Sequence, residues 1–131
     1  MTRPHLALIS LLVPDYDVAL RFYVDVLGFE KREDAALSAE KRWVVVAPPA
    51  GECGILLAKA ATPEQAAAIG MQAGGRVFLF LHTDDFVRDH AAMRARGVHF
   101  VEAPRDEPYG TVAVFVDPFG NRWDLIEPRD A

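Results

Sequence analysis

The chain has one cysteine, Cys53, among its 131 residues, so no internal disulfide can form and a reducing compartment suits it. Lysines and arginines occur no more densely than in short pairs, and the formal charge is −5. Both features argue against nucleic acid as a partner. No apolar run is long enough to span a bilayer. The first one, Leu6 to Val13, is followed by Pro14-Asp15 and not by a small-residue cleavage pattern. It is expected to be a buried strand of a cytoplasmic protein with no membrane partner. A P-loop, a dinucleotide fingerprint and a nucleophilic triad are also missing: Gly51 to Gly54 and Gly74-Gly75 read as turn glycines. Glu52 precedes Cys53 and no basic residue adjoins it, so thiolate activation is not indicated.

What remains is an ordinary globular composition, 51% apolar and 25% charged, in a chain long enough for one core. Leu6 to Val13 reads as a strand between two prolines. Asp15 or Asp17 can cap a helix with Ala19, Phe22, Tyr23, Val26 and Leu27 on one face, ended by Gly28. Strands follow from Phe29, over Trp43 to Ala47, and over Gly54 to Ala58. The pattern then restarts. Arg76 to Leu81 is a strand, and Thr83, Asp84 or Asp85 caps a helix carrying Phe86, Val87, Ala91 and Met93 and ended by Gly97. Val98 to Glu102 is a strand, and 111–116 with 122–127 form a hairpin. The segment 102–110 reads as a polar loop. Thr62 or Pro63 starts a short helix at the joint. The chain is therefore expected to be a single α+β domain, with a module at 4–60, a linker at 61–75 and a second module at 76–128. Each module has the order strand-helix-strand-strand-strand, giving two four-stranded sheets, each backed by a helix.

The elements Val13-Pro-Asp15, Ala19-Leu-Arg-Phe-Tyr23, Leu27-Gly-Phe-Glu30, Ala95-Arg-Gly-Val98 and Asp117-Pro-Phe-Gly-Asn-Arg-Trp-Asp-Leu125 run in order along nearly the whole chain. In this the sequence resembles the vicinal-oxygen-chelate superfamily, which includes glyoxalase I, the bleomycin-resistance proteins and the extradiol dioxygenases. The resemblance implies paired βαβββ modules whose mixed sheets curl around a cavity. It also implies a homodimer. Enzymes of that superfamily hold a divalent metal with one side chain from each of four strands, typically His and Glu. The corresponding positions here are Leu8, Leu56 (flanked by Ile55 and Leu57), Phe78 and Asp124. Three hydrocarbons and one carboxylate do not make a zinc, iron or magnesium site. No metal and no other cofactor is expected.

Asp124 is the acid in an otherwise apolar strand, and a carboxylate there needs a partner. Alternation places it with Arg122 and Ile126, and places Arg76, Phe78, Phe80 and His82 together on another strand. Two readings stand for Asp124: a structural ion pair with Arg76, Arg122 or His82, or an anchor for a small-molecule ligand. His82 has the side chain of a general base, or of a loop hydrogen-bonder. Phe78 and Phe80 would give a pocket aromatic walls. Arg105 and Tyr109, in the polar loop, either touch a ligand or belong to the surface. His5 lies three residues before Leu8, on the other face of that strand or in solvent. The favoured function is a metal-free small-molecule binding protein. The alternative is a divergent glyoxalase-like lyase or isomerase that uses Asp124 and His82 as its acid/base pair.

Overall fold

The computed structural model describes residues 3–129. Within them lie two compact units, one up to Ala67 and one from Ala68. Both are mixed α+β structures built on one plan.

In the first unit β1 (Leu8–Val13) lies parallel to β4 (Gly54–Lys59). Antiparallel β3 (Arg42–Ala47) and β2 (Glu30–Ala36) complete the sheet in the order β1-β4-β3-β2. Asp15 starts α1 (Tyr16–Leu20) by accepting the Val18 N–H at 2.9 Å. The helix continues as a π-helical stretch, Arg21–Val26, closed by the Leu27 N–H on the Phe22 carbonyl at 2.7 Å. The expected apolar face is realised: Ala19, Phe22, Tyr23 and Leu27 are buried and Val26 is half-buried. They pack with Leu11, Val13, Val44, Val46 and Leu57 as the core of the unit. β2 is exposed along its whole length, as its sequence Glu-Lys-Arg-Glu-Asp-Ala-Ala dictates for an edge strand.

Thr62 caps the short α2 (Pro63–Ala68), accepting the Gln65 N–H at 3.1 Å. In the second unit β5 (Val77–His82) lies parallel to β9 (Arg122–Pro128), with β8 (Gly110–Val116) antiparallel beside it. Asp85 caps α3 (Phe86–Ala95) through the Arg88 N–H at 3.0 Å. The Glu127 carboxylate accepts the Phe86 N–H at 2.7 Å and ties the helix start to the sheet. Gly28 and Gly97, at φ of 88° and 95°, close the two helical segments in a backbone region that residues with a Cβ avoid.

Three expectations change. The strand expected over Val98 to Glu102 is only β6 (His99–Phe100). Inside the expected loop lies a further strand, β7 (Arg105–Glu107), so this sheet has five strands and not four. The reason is β8, whose length exceeds that of β6: its first residues pair with β7 and its last with β6. Third, Val87 and Ala91 are exposed on α3, whose core positions are Phe86 and Met93, with His90 half-buried between them. The Asp85 cap and the Glu127 contact fix the rotation of the helix so that Phe86 faces the sheet, which turns Val87 outward.

The Asp117–Asn121 turn joins β8 to β9. Asp117 Oδ1 accepts the Phe119 and Asn121 N–H groups, each at 2.9 Å, and Oδ2 accepts from Asn121 Nδ2 at 2.7 Å. Both residues are buried, so the Asp-Pro-Phe-Gly-Asn motif is structural. Among the described residues no helix is long and apolar enough to cross a membrane.

Candidate functional site

Each sheet has a face that meets its helix and a face that does not. In the second unit the helix side carries a chain of rings from Phe86 through His90, Phe100 and Phe115 to Trp123, with centroids 4.4 to 5.7 Å apart. This assigns Phe115 and Trp123 to the core. Burial in that stack, with the Arg94 charge adding to it, holds the His90 pKa below the ordinary histidine value.

The helix-free face of the same sheet gathers most of the candidate site residues. Register places Phe80 beside Asp124, and Asp124 beside Val114. One step along lie His82, Ile126, Val112 and Arg105, each paired with the next. Phe78 is half-buried at a bulge between Val77 and Leu79. Phe80 is 60% exposed, while Asp124 is only 5% exposed. An aromatic ring accessible on this face thus borders a carboxylate sunk into it.

Asp124 Oδ1 is buried and has no hydrogen-bond partner among the described residues. Arg76, Arg122 and His82 therefore do not satisfy that oxygen, and of the two readings of Asp124 the ion pair has no contact there. All three are exposed; Arg76 precedes β5, and His82 ends it. Burial pushes the Asp124 carboxyl above the usual carboxylate range; Arg105 draws it back and Glu102 adds to the rise. Arg105 itself donates to Glu102 and, at 3.1 Å, to Glu107. Tyr109, just before β8, is 51% exposed. The structure thus brings Phe80, Asp124, His82 and Arg105 to one face and leaves Arg76 at its margin. His5 is exposed outside β1 and lies 3.4 Å from the Arg3 carbonyl.

In the first unit, Leu8 pairs with Gly54 and Ser10 with Leu56, so Leu8 and Leu56 share the helix-free face one step apart. Trp43 and Val45 of β3 lie on that face too, and the indole N–H donates to Glu33 at 3.2 Å. Glu33 gave no signal in the sequence, because it sits in a run of charges on an edge strand. The strand alternation confirms that Leu8, Leu56 and Asp124 each point away from the helix of their own unit. Their chemistry does not fit a divalent metal. Hydrocarbon side chains donate no lone pair, and no group of three or more His, Cys, Asp or Glu among the described residues could hold an ion.

A profile of the Glyoxalase/Bleomycin resistance protein/Dioxygenase superfamily matches residues 4–125. The chain belongs to this superfamily. An uncharacterized protein of Shewanella frigidimarina (strain NCIMB 400) is 53% identical over 124 residues, 93% of this chain and 92% of that one. Two solved structures are similar throughout. TnmS3, an antibiotic binding protein from Streptomyces sp. CB03234, is 32% identical with a TM-score of 0.81, covering 98% of this chain and 99% of its own. UcmS2 is 34% identical with a TM-score of 0.83, covering 96% and 99%. The superfamily fold is thus shared by a protein whose described role is binding.

Proposed function

We propose that this chain is a metal-free small-molecule binding protein whose ligand is held at Asp124. The observation that carries this is the buried Oδ1 of Asp124, which no described residue satisfies. A buried acceptor left without a donor costs about 1–3 kcal/mol, more for a charged group. A ligand that brings an N–H or a cationic centre removes that cost. Phe80, exposed beside Asp124, gives such a ligand a ring to lie on, and Phe78 extends the wall. A planar cation is the ligand class that these groups match. Arg105 and Tyr109 border the same region of the face. TnmS3, similar along the whole chain, is described as an antibiotic binding protein, which supports binding as the role.

The acid–base alternative has less support. His82 shares the face with Asp124 but is exposed at the strand end, and it leaves Oδ1 unbonded. We further propose that the protein works as a cytoplasmic homodimer; sedimentation of the purified chain checks the dimer, and fractionation of cells the location.

Two measurements test the ligand site. Elemental analysis after chelator-free purification should find no stoichiometric transition metal; one ion per chain overturns the metal-free assignment. Proflavine, a planar cation, should quench on binding, and Asp124→Asn should weaken it about tenfold, the loss expected when a charge-assisted bond of about 1.5 kcal/mol is removed. Equal affinity for both proteins removes Asp124 from the site.

A further inference from the structure

Asp124 has a potential counter-ion on its own face that does not take it. Arg105 opens β7 and pairs with Val112, and Val112 is two residues from Val114, the register partner of Asp124. Arg105 and Asp124 thus lie on the same side of the sheet, two strands apart with β8 between them and one step along. The charge of Arg105 reaches Asp124, as does that of Glu102. Yet the guanidinium is turned to two other carboxylates. Its Nη1 donates to Glu102 and its Nε to Glu107. The Tyr109 hydroxyl is also within its electrostatic reach.

An arginine carries five donors in a planar fork and is the side chain best suited to a carboxylate. Left unheld on a face with one sunken, unsatisfied carboxylate, it would be expected to turn there. It is held by a residue on each side in sequence, three before and two after. We propose that Glu102 and Glu107 are positioning residues that hold Arg105 off Asp124 and so keep that carboxylate free for a cationic ligand. This rests on the role assigned to Asp124 above. Three carboxylates around one guanidinium also leave the cluster with an excess of negative charge, which attracts a cation.

The inference separates from the ligand assignment in a double-mutant cycle read without ligand. The titration of the Asp124 carboxyl is followed by carbon-detected NMR in wild type, Arg105→Gln, Glu102→Gln/Glu107→Gln and the triple variant. If Arg105 stays where it is, its charge acts on Asp124 equally in both backgrounds, because contributions at fixed distances add. If the glutamates hold it away, Arg105→Gln raises the Asp124 pKa more once they are gone. Proflavine gives the second reading: the affinity gained by Arg105→Gln should be about fivefold larger in the clamp-free background, the scale of one surface ion pair. Equal pKa shifts in both backgrounds overturn the inference, whatever proflavine does. Proflavine binding that ignores Asp124→Asn overturns the ligand assignment and leaves the NMR result standing. The glutamates are at the surface and their replacements isosteric, so the variants fold; either single glutamine variant serves as a second test of the same non-additivity.

Discussion

The two units are one design executed twice, and they differ where the sheet turns away from its helix. Both pair their first strand parallel to their last. Both start the helix from an aspartate cap and end the helical segment at a positive-φ glycine. On the helix-free face the first unit presents Leu8, Leu56 and Val45, and its one polar aromatic, Trp43, is satisfied by Glu33. The second unit presents on its helix-free face a carboxylate with an oxygen left unsatisfied. Repetition is what the fold demands, so the break in the repetition is where function is to be sought.

If the two helix sides are equivalent, deep truncations in either should cost alike. Leu57 and Phe115 are fully buried, one in each unit. Leu57→Ala should lower stability by about 2–5 kcal/mol and Phe115→Ala by about 3–5 kcal/mol, measured by urea unfolding. A loss below ~1 kcal/mol at one site only would show that the two cores are not equally packed. The next effect sharpens a difference. The β8–β9 turn hangs on Asp117, whereas the β3–β4 turn is held from outside by Arg32, which donates to the Pro48 and Gly51 carbonyls at 3.0 and 2.7 Å. Asp117→Ala strands three donors, two of them on the buried Asn121, and should cost about 3 kcal/mol. Thermal melts that leave this variant within ~0.5 kcal/mol of wild type would refute the structural role given to the motif.

Much of this was legible from residue order alone. The aspartate caps, Gly28 and Gly97, and the prolines around the first strand punctuate the chain, and local punctuation survives folding. Asp124 stood out because an acid amid Trp, Leu and Ile must be either satisfied or used. Other features are not local. Arg105-Asp-Glu107 reads as loop because nothing in three charged residues signals a strand; only the spare length of β8 makes one. Phe115 and Trp123 lie in strands with residues buried on both faces, where alternation gives no orientation. Val87 is apolar and exposed because the helix cap, not the apolar count, fixes rotation. Glu33 was hidden in a charged run, and its bond to Trp43 joins residues ten apart in sequence.

The smallest effect bears directly on the asymmetry. Burial raises the Asp124 carboxyl above its ordinary value, so the folded chain holds that proton more tightly than the unfolded one. The contribution of Asp124 is therefore fully favourable below the unfolded carboxylate pKa of about 4 and is lost as pH rises through the folded value. Asp124→Asn has no proton to lose there. Its stability relative to wild type should climb across that window and level off above it, with a gain on the order of 1 kcal/mol at neutral pH. Chemical denaturation of the two proteins from pH 3 to 8 reads the difference. A wild-type advantage over Asp124→Asn that grows with pH would mean that the carboxylate already has a partner, and the two helix-free faces would then be alike after all.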